Sequence, residues 1–206
     1  MKTRKIADLE AVLRGYLRHR RFLILPEMDE VLAELNQFTS AVIESGFRMA
    51  AMQLLDDHNL RFGRPFIEVC GAVIDHQLRR IVNDADRSLA SKSLFEAYLY
   101  YGGTEYAFEP AARTRLGRSL RRYGVKGFAE LFLSLHLFNI VSLEIQDRVA
   151  ATMSDPQALE VYMLTIEAIC RDIVARSLKN CHGELNERWA AEVRINIEAQ
   201  LLSLPE

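Results

Sequence analysis

The stretch Gly127 to Val149 (GFAELFLSLHLFNIVSLEIQDRV) is the longest apolar run in the chain, and it is apolar almost all the way round a helix. At about 100° per residue, Glu130, Glu144 and Arg148 share one narrow polar strip. Phe128, Leu131, Phe132, Leu135, Phe138, Ile140, Leu143, Ile145 and Val149 take most of the remaining circumference. A helix with so little polar surface is stable in water only when others pack round it on several sides. The run therefore predicts an all-α, single-domain bundle of about seven or eight helices around a central apolar helix, residues 127–149. Phe128 to Ile145 approaches bilayer-spanning length, but Glu130, His136, Asn139 and Glu144 would each be costly in lipid, so a core helix and no transmembrane span is expected.

The remaining sequence supplies partners for that helix. With 206 residues, half of them hydrophobic, the chain is long enough to bury a core without covalent staples; only 10 Gly and 5 Pro leave little material for the turns of a β fold. Apolar residues at helical spacing predict helices from about Thr3 to Arg20, from Pro26, from Met49 to Leu55, from Phe66 to Val82, from Ala111 to Tyr123, from Ser154-Asp155-Pro156-Gln157 to about Asn180, and from Glu184 to Leu202. Gly46 ends or bends the second of these, and Gly124 is expected to stop the Ala111 helix. Asn83 to Ser88 reads as a polar linker, with Ser88 or Ser91 capping the next helix. Residues 93–108 (SLFEAYLYYGGTEYAF) fit either a helix closing at Gly102 or a hairpin turning on Gly102-Gly103, with helix preferred. No linker or repeat divides the chain, so residues 1–206 are expected to form one domain, with 1–25 a basic amphipathic N-terminal extension.

Charge is distributed unevenly. The net formal charge is −2, yet residues 1–25 carry +5 and residues 113–126 carry +6, leaving −13 on the rest. Arg115, Arg118, Arg121 and Arg122 share the outer arc of the Ala111 helix, opposite Ala112, Leu116, Leu120 and Tyr123. Such an arc either pairs with the acidic body or docks on an anionic partner, a membrane surface or an acidic protein. Nucleic acid is the least favoured, because the body is acidic and only Tyr123 interleaves with the arginines.

Catalytic and metal signatures are missing: no phosphate loop, nucleophile elbow, zinc helix or calcium loop is present, and no cofactor or metal is expected. Asp56-Asp57-His58-Asn59 has poor chelating geometry on a helix and reads as a solvated helix end. His76, beside a predicted Asp75–Arg79 pair, reads as a surface histidine. Cys70, Cys170 and Cys181 lack disulfide or zinc spacing and point to a reducing cytoplasm. The N-terminal 25 residues do not read as a secretory signal, because Asp8, Glu10 and Arg14 interrupt any apolar segment.

The least ordinary feature is a polar stripe in the central helix: His136 and Asn139, continued by Ser142 and Gln146. Buried polar groups must find partners, so these either bond neighbouring helices or line a wet cavity. Tyr98, Tyr101 and Tyr106, with Tyr100 and Phe108, concentrate aromatic surface that forms either core or a ligand wall. Pro26-Glu27, Leu35, Phe38, Leu116-Gly117-Arg118, Gly124-Val125 and Glu130-Leu131 together resemble the all-helical N-terminal sensor domains of RsbR-type and PucR-type regulators. That resemblance covers a small part of the chain, has no counterpart for Phe47 to Phe108, implies regulation, and carries over no functional residue. The reading favoured by sequence is a non-enzymatic sensor or regulatory domain. It would bind a small apolar or amphipathic ligand near His136, Asn139, Ser142, Tyr98, Tyr101 and Tyr106, and form a homodimer through its last two helices. The alternative is an adaptor docking by its basic helices, 1–25 and 111–126.

Overall fold

A computed structural model of the chain describes residues 27–56, 64–104, 111–150 and 155–202. These residues form α1 (Met28–Ser45), α2 (Phe47–Leu55), α3 (Phe66–Gln77), α4 (Asp84–Gly102), α5 (Ala111–Ala150), α6 (Pro156–Lys179) and α7 (Glu187–Leu202), with no strand among them. The predicted first helix, Pro26, His58, Tyr106, Phe108 and Ser154 lie outside the described residues.

The apolar run takes the predicted central position. It forms the second arm of α5, which packs against α4, α6, α1 and α2. Phe128, Ala129, Phe132, Leu133, Leu137, Ile140 and Val141 are all buried there, in one core shared by every helix. By length and composition Ala111–Leu143 is apolar enough to cross a bilayer, but such a window also describes a core helix, and these side chains pack inside the protein. Large side chains fill the bundle: Trp189 of α7, Tyr98 of α4, Phe66 of α3 and Phe128 of α5 are all essentially inaccessible.

The starts of α4 and α7 and the end of α3 differ from expectation, whereas the start of α6 and the break at Gly46 match it. The polar segment after Asn83 is the first turn of α4 rather than a linker, because the Asn83 side chain accepts from the N–H groups of Ala85 and Asp86 and so caps the helix ahead of either serine. α3 ends at Gln77, five residues before Val82. Asp155, with Pro156 in the first turn, caps α6 by accepting from Gln157 N–H at 3.0 Å. α7 starts at Glu187, where Asn186 accepts from Trp189 N–H. Gly46, at φ 85°, closes α1 and opens α2 without an intervening loop.

The Gly102-Gly103 pair closes a helix. A Cβ on Gly102 would lie 2.9 Å from Phe66 Cε1, so a bare backbone is what lets α4 approach α3. Gly103, at φ 86°, turns the chain out of α4 and donates its N–H to Leu99 O. Gly124 stops the Ala111 helix as expected, because its backbone is non-helical, and the apolar helix starts directly after it with no loop between. At φ 75° and ψ 170° it kinks α5 between an arm of residues 111–123 and an arm of residues 125–150.

The Arg79 pairing also differs. Its guanidinium, in the turn after α3, grips Glu34 of α1 through two bonds, 2.7 and 2.9 Å, rather than Asp75 of α3. Glu34 is reachable because α1 and α3 are neighbours, which helical spacing alone does not reveal. Arg194 of α7 similarly binds both oxygens of Asp29 at 2.9 and 3.0 Å, half-buried, tying the last helix to the first described one.

Candidate functional site

Two groups of polar side chains sit on the two arms of α5. On the first arm, Ala112, Leu116 and Leu120 are buried, which turns Arg115, Arg118, Arg121 and Arg122 outward, all four exposed. The predicted arc is thus a surface. Among the described residues no carboxylate lies within ion-pair distance of Arg118, Arg121 or Arg122. Three acids of the body are engaged elsewhere, Glu34 with Arg79, Glu30 with Arg80 and Asp29 with Arg194. Outside the arc, the other two cations of the segment bind backbone carbonyls: Arg113 binds Arg64 O, and Lys126 donates to Cys181 O at 3.4 Å.

Within the arc the arginines differ. Arg121 donates to Ile43 O at 3.3 Å, one of the terminal carbonyls of α1 that no helical N–H reaches, where a cation also meets the negative end of the helix dipole. Arg122 lies over the Tyr123 ring, 5.3 Å from its centre. Tyr123 and Tyr100 are more than half exposed, and each ring contacts Tyr101 between them, at 5.7 and 6.1 Å. Burial and the neighbouring phenols push the Tyr101 hydroxyl up to about 12, so it stays neutral. The result is an exposed face mixing guanidinium and phenol. Tyr100 and Tyr123 belong to it, whereas sequence alone assigns them to an aromatic cluster and an inner stripe.

On the second arm, Asn139 is buried and its amide donates to Ser93 Oγ and Glu96 Oε2 of α4, both at 3.0 Å. Ser93 in turn donates to Leu89 O. Tyr98, fully buried, donates to Gln77 Oε1 of α3 at 3.3 Å, and its ring packs on Phe128 and Phe38. Ser93, Glu96 and Gln77 are the residues that sequence reasoning misses. Their signal is a polar side chain on the inward face of an otherwise apolar helix, legible only once the inward face is known. Tyr98 and Tyr101 are brought together around Phe128, each ring 5.0 Å from it, as core packing.

His136 stacks on Phe132 of its own helix at 5.8 Å and is buried, and burial lowers its pKa to about 4, so the imidazole is neutral. Its Nδ1 and the Oγ of Ser142 are enclosed without a hydrogen-bond partner among the described residues. Thus the predicted stripe divides: Asn139 is satisfied across the α4–α5 contact, while His136 and Ser142 retain unused capacity.

A groove of about 580 Å³ opens elsewhere, between α1 and the α6–α7 connection, lined by Glu30, Glu34, Arg80, Leu185 and Arg188. Neither candidate group lines it, and the Arg80–Glu30 and Arg79–Glu34 pairs already balance its charge. Among the described residues no three His, Cys, Asp or Glu side chains gather in metal-binding geometry. Cys70, Cys170 and Cys181 are free and buried. Comparison with known proteins returns no match from family models, curated proteins or solved structures.

Proposed function

We propose that the chain is a helical docking module whose basic-aromatic face, built on the first arm of α5, binds an anionic lipid surface. The observation that carries this reading is the solvent exposure of Arg118 and Arg122 beside Tyr123 and Tyr100, without a carboxylate partner among the described residues. Guanidiniums attract phosphate headgroups, and half-exposed tyrosines suit the boundary between headgroups and acyl chains, where one end of the ring is wet and the other apolar. Reduced, unbridged cysteines suit the cytoplasmic side, on which anionic lipids are displayed. An acidic protein partner would match the charge but would not call for the tyrosines.

Vesicle co-sedimentation tests it, comparing neutral phosphatidylcholine with phosphatidylcholine containing phosphatidylserine. Retention on the anionic vesicles that fades with added salt, and that is lost in Arg118→Gln/Arg122→Gln, is the expected result. No retention at low salt, or retention by polyglutamate or duplex DNA in preference to vesicles, overturns it.

A second reading rests on His136 Nδ1 and Ser142 Oγ, which are enclosed and have no hydrogen-bond partner among the described residues. A small amphipathic molecule between the helices could bond both, as in a sensor domain. Thermal-shift screening against amphipathic metabolites, repeated on His136→Phe, tests it. A set of compounds that shift neither protein removes this reading.

A further inference from the structure

α6 is apolar on two sides. Its inner face places Tyr162, Ile166, Cys170, Ile173 and Val174 in the core. Its outer face carries Gln157, Val161, Leu164, Ala168, Arg171 and Ala175, which alternate at four- and three-residue spacing, the repeat of a helix–helix seam. Val161 and Leu164 are 64% and 57% exposed, at the end of the α5–α6 hairpin where Leu143 is also exposed.

We propose that this outer face is a two-fold interface with a second copy of the chain, the two α6 helices lying antiparallel. Charge selects both the partner and the direction. Glu167–Arg171 and Asp172–Arg176 pair within α6, which leaves Asp155 and Glu160 as the acids without a cation partner toward its N-terminus and Lys179 as the cation without an acid toward its C-terminus, among the described residues. Two copies in parallel would set like charges together; antiparallel, each acidic half meets a basic half and the helix dipoles oppose. With the axis between Leu164 and Ala168, each Leu164 packs on the partner's Ala168, each Val161 on the stem of the partner's Arg171, and each Glu160 adds a second carboxylate to that guanidinium, which Glu167 of its own helix already holds at 2.6 Å. Glu160 has no cation partner among the described residues, and the small side chains of Ala168 and Ala175 allow close approach. A balanced mixture of both signs also separates this face from the one-signed arc on α5, and suits a copy of itself better than an anionic lipid.

One helix per copy is a small interface, so the association is expected to be reversible in the micromolar range. Sedimentation equilibrium of the full chain from about 1 to 200 µM should show monomer and dimer in exchange. Leu164→Arg should be monomeric throughout with an unchanged melting profile, because the residue is exposed. Glu160→Arg and Arg171→Glu should each weaken association roughly tenfold, since two symmetric pairs are lost, and mixing the two variants should restore it as a heterodimer. A wild-type monomer across the range, a dimer indifferent to Leu164→Arg, or a mixture that fails to recover each overturns the proposal. None of these readouts involves vesicles, so they stand apart from the test of the α5 face.

Discussion

The two arms of α5 put polar side chains into opposite surroundings, although only Gly124 separates them in the chain. Before Gly124, cations point to water and the fold uses little of their charge: Arg121 reaches a carbonyl of α1 and Arg122 lies on a tyrosine. After Gly124, an amide is buried and the fold answers it twice, from Ser93 and from Glu96. A solvated charge costs little to keep and stays available to a partner, whereas a buried amide is tolerable only if neighbouring helices complete its bonds. The first arm is therefore where binding should be altered without unfolding, and the second where unfolding should dominate.

The largest expected effect is on the second arm. Phe128 is fully buried and contacts both Tyr98 and Tyr101, so Phe128→Ala should lower stability by about 3–5 kcal/mol in denaturant titration. A loss under about 1 kcal/mol would mean that this arm is not the core.

His136 sharpens the contrast through pH. Its folded pKa, lowered by burial to about 4, lies below the ordinary 6.5 of the unfolded chain. Between those values the unfolded state binds more protons. The stabilisation is thus fully present above pH 6.5 and is lost as pH falls toward 4, by up to roughly 3 kcal/mol. His136→Phe, which keeps a ring against Phe132, should remove that component of the acid dependence. Parallel acid titrations of the two proteins would leave the assignment without support.

Gly124 joins the arms at φ 75° and ψ 170°, a conformation that residues with a Cβ rarely adopt. No atom lies within 4 Å of where a Cβ would stand, so the cost of Gly124→Ala is backbone strain alone, about 1–3 kcal/mol. Thermal unfolding measures it, and a neutral result would show that the kink relaxes into continuous helix.

The smallest stability effect belongs to the first arm. Arg118→Gln/Arg121→Gln/Arg122→Gln should change unfolding free energy by no more than about 1 kcal/mol, most of it from the Ile43 contact. A larger loss would make the arc structural and dissolve the distinction between the arms.

The central helix and its neighbours were legible in sequence because apolar periodicity reports directly on burial, as Phe128, Phe132 and Ile140 show. The start of α6 was legible from Ser154-Asp155-Pro156-Gln157, where Asp155 is one of two side chains able to cap, whereas the cap of α4 was not, because Asn83 stands in a polar run ahead of the expected Ser88 or Ser91. Glycine was the hardest residue to read. Gly102 serves close packing, Gly103 a helix end and Gly124 a kink, and those roles differ only in what lies nearby in space. The arginine arc was visible on a helical wheel, but its exposure depended on which helices claimed the acids, and Glu34 and Asp29 are bound by arginines from remote parts of the sequence. The partners of Asn139 were invisible for the same reason: they stand on another helix.

The three thiols give the molecule an internal clock. Cys70 lies in α3, Cys170 in α6 and Cys181 just after α6, each nearly inaccessible, and burial pushes the Cys170 thiol up to about 12 and raises the other two as well. A thiol that is both enclosed and protonated reacts only while its surroundings are open. Alkylation rates at the three positions therefore time the opening of three separate parts of the bundle. Cys181, held by an amide from Asn196 on α7, reports when the last helix lets go of its neighbour.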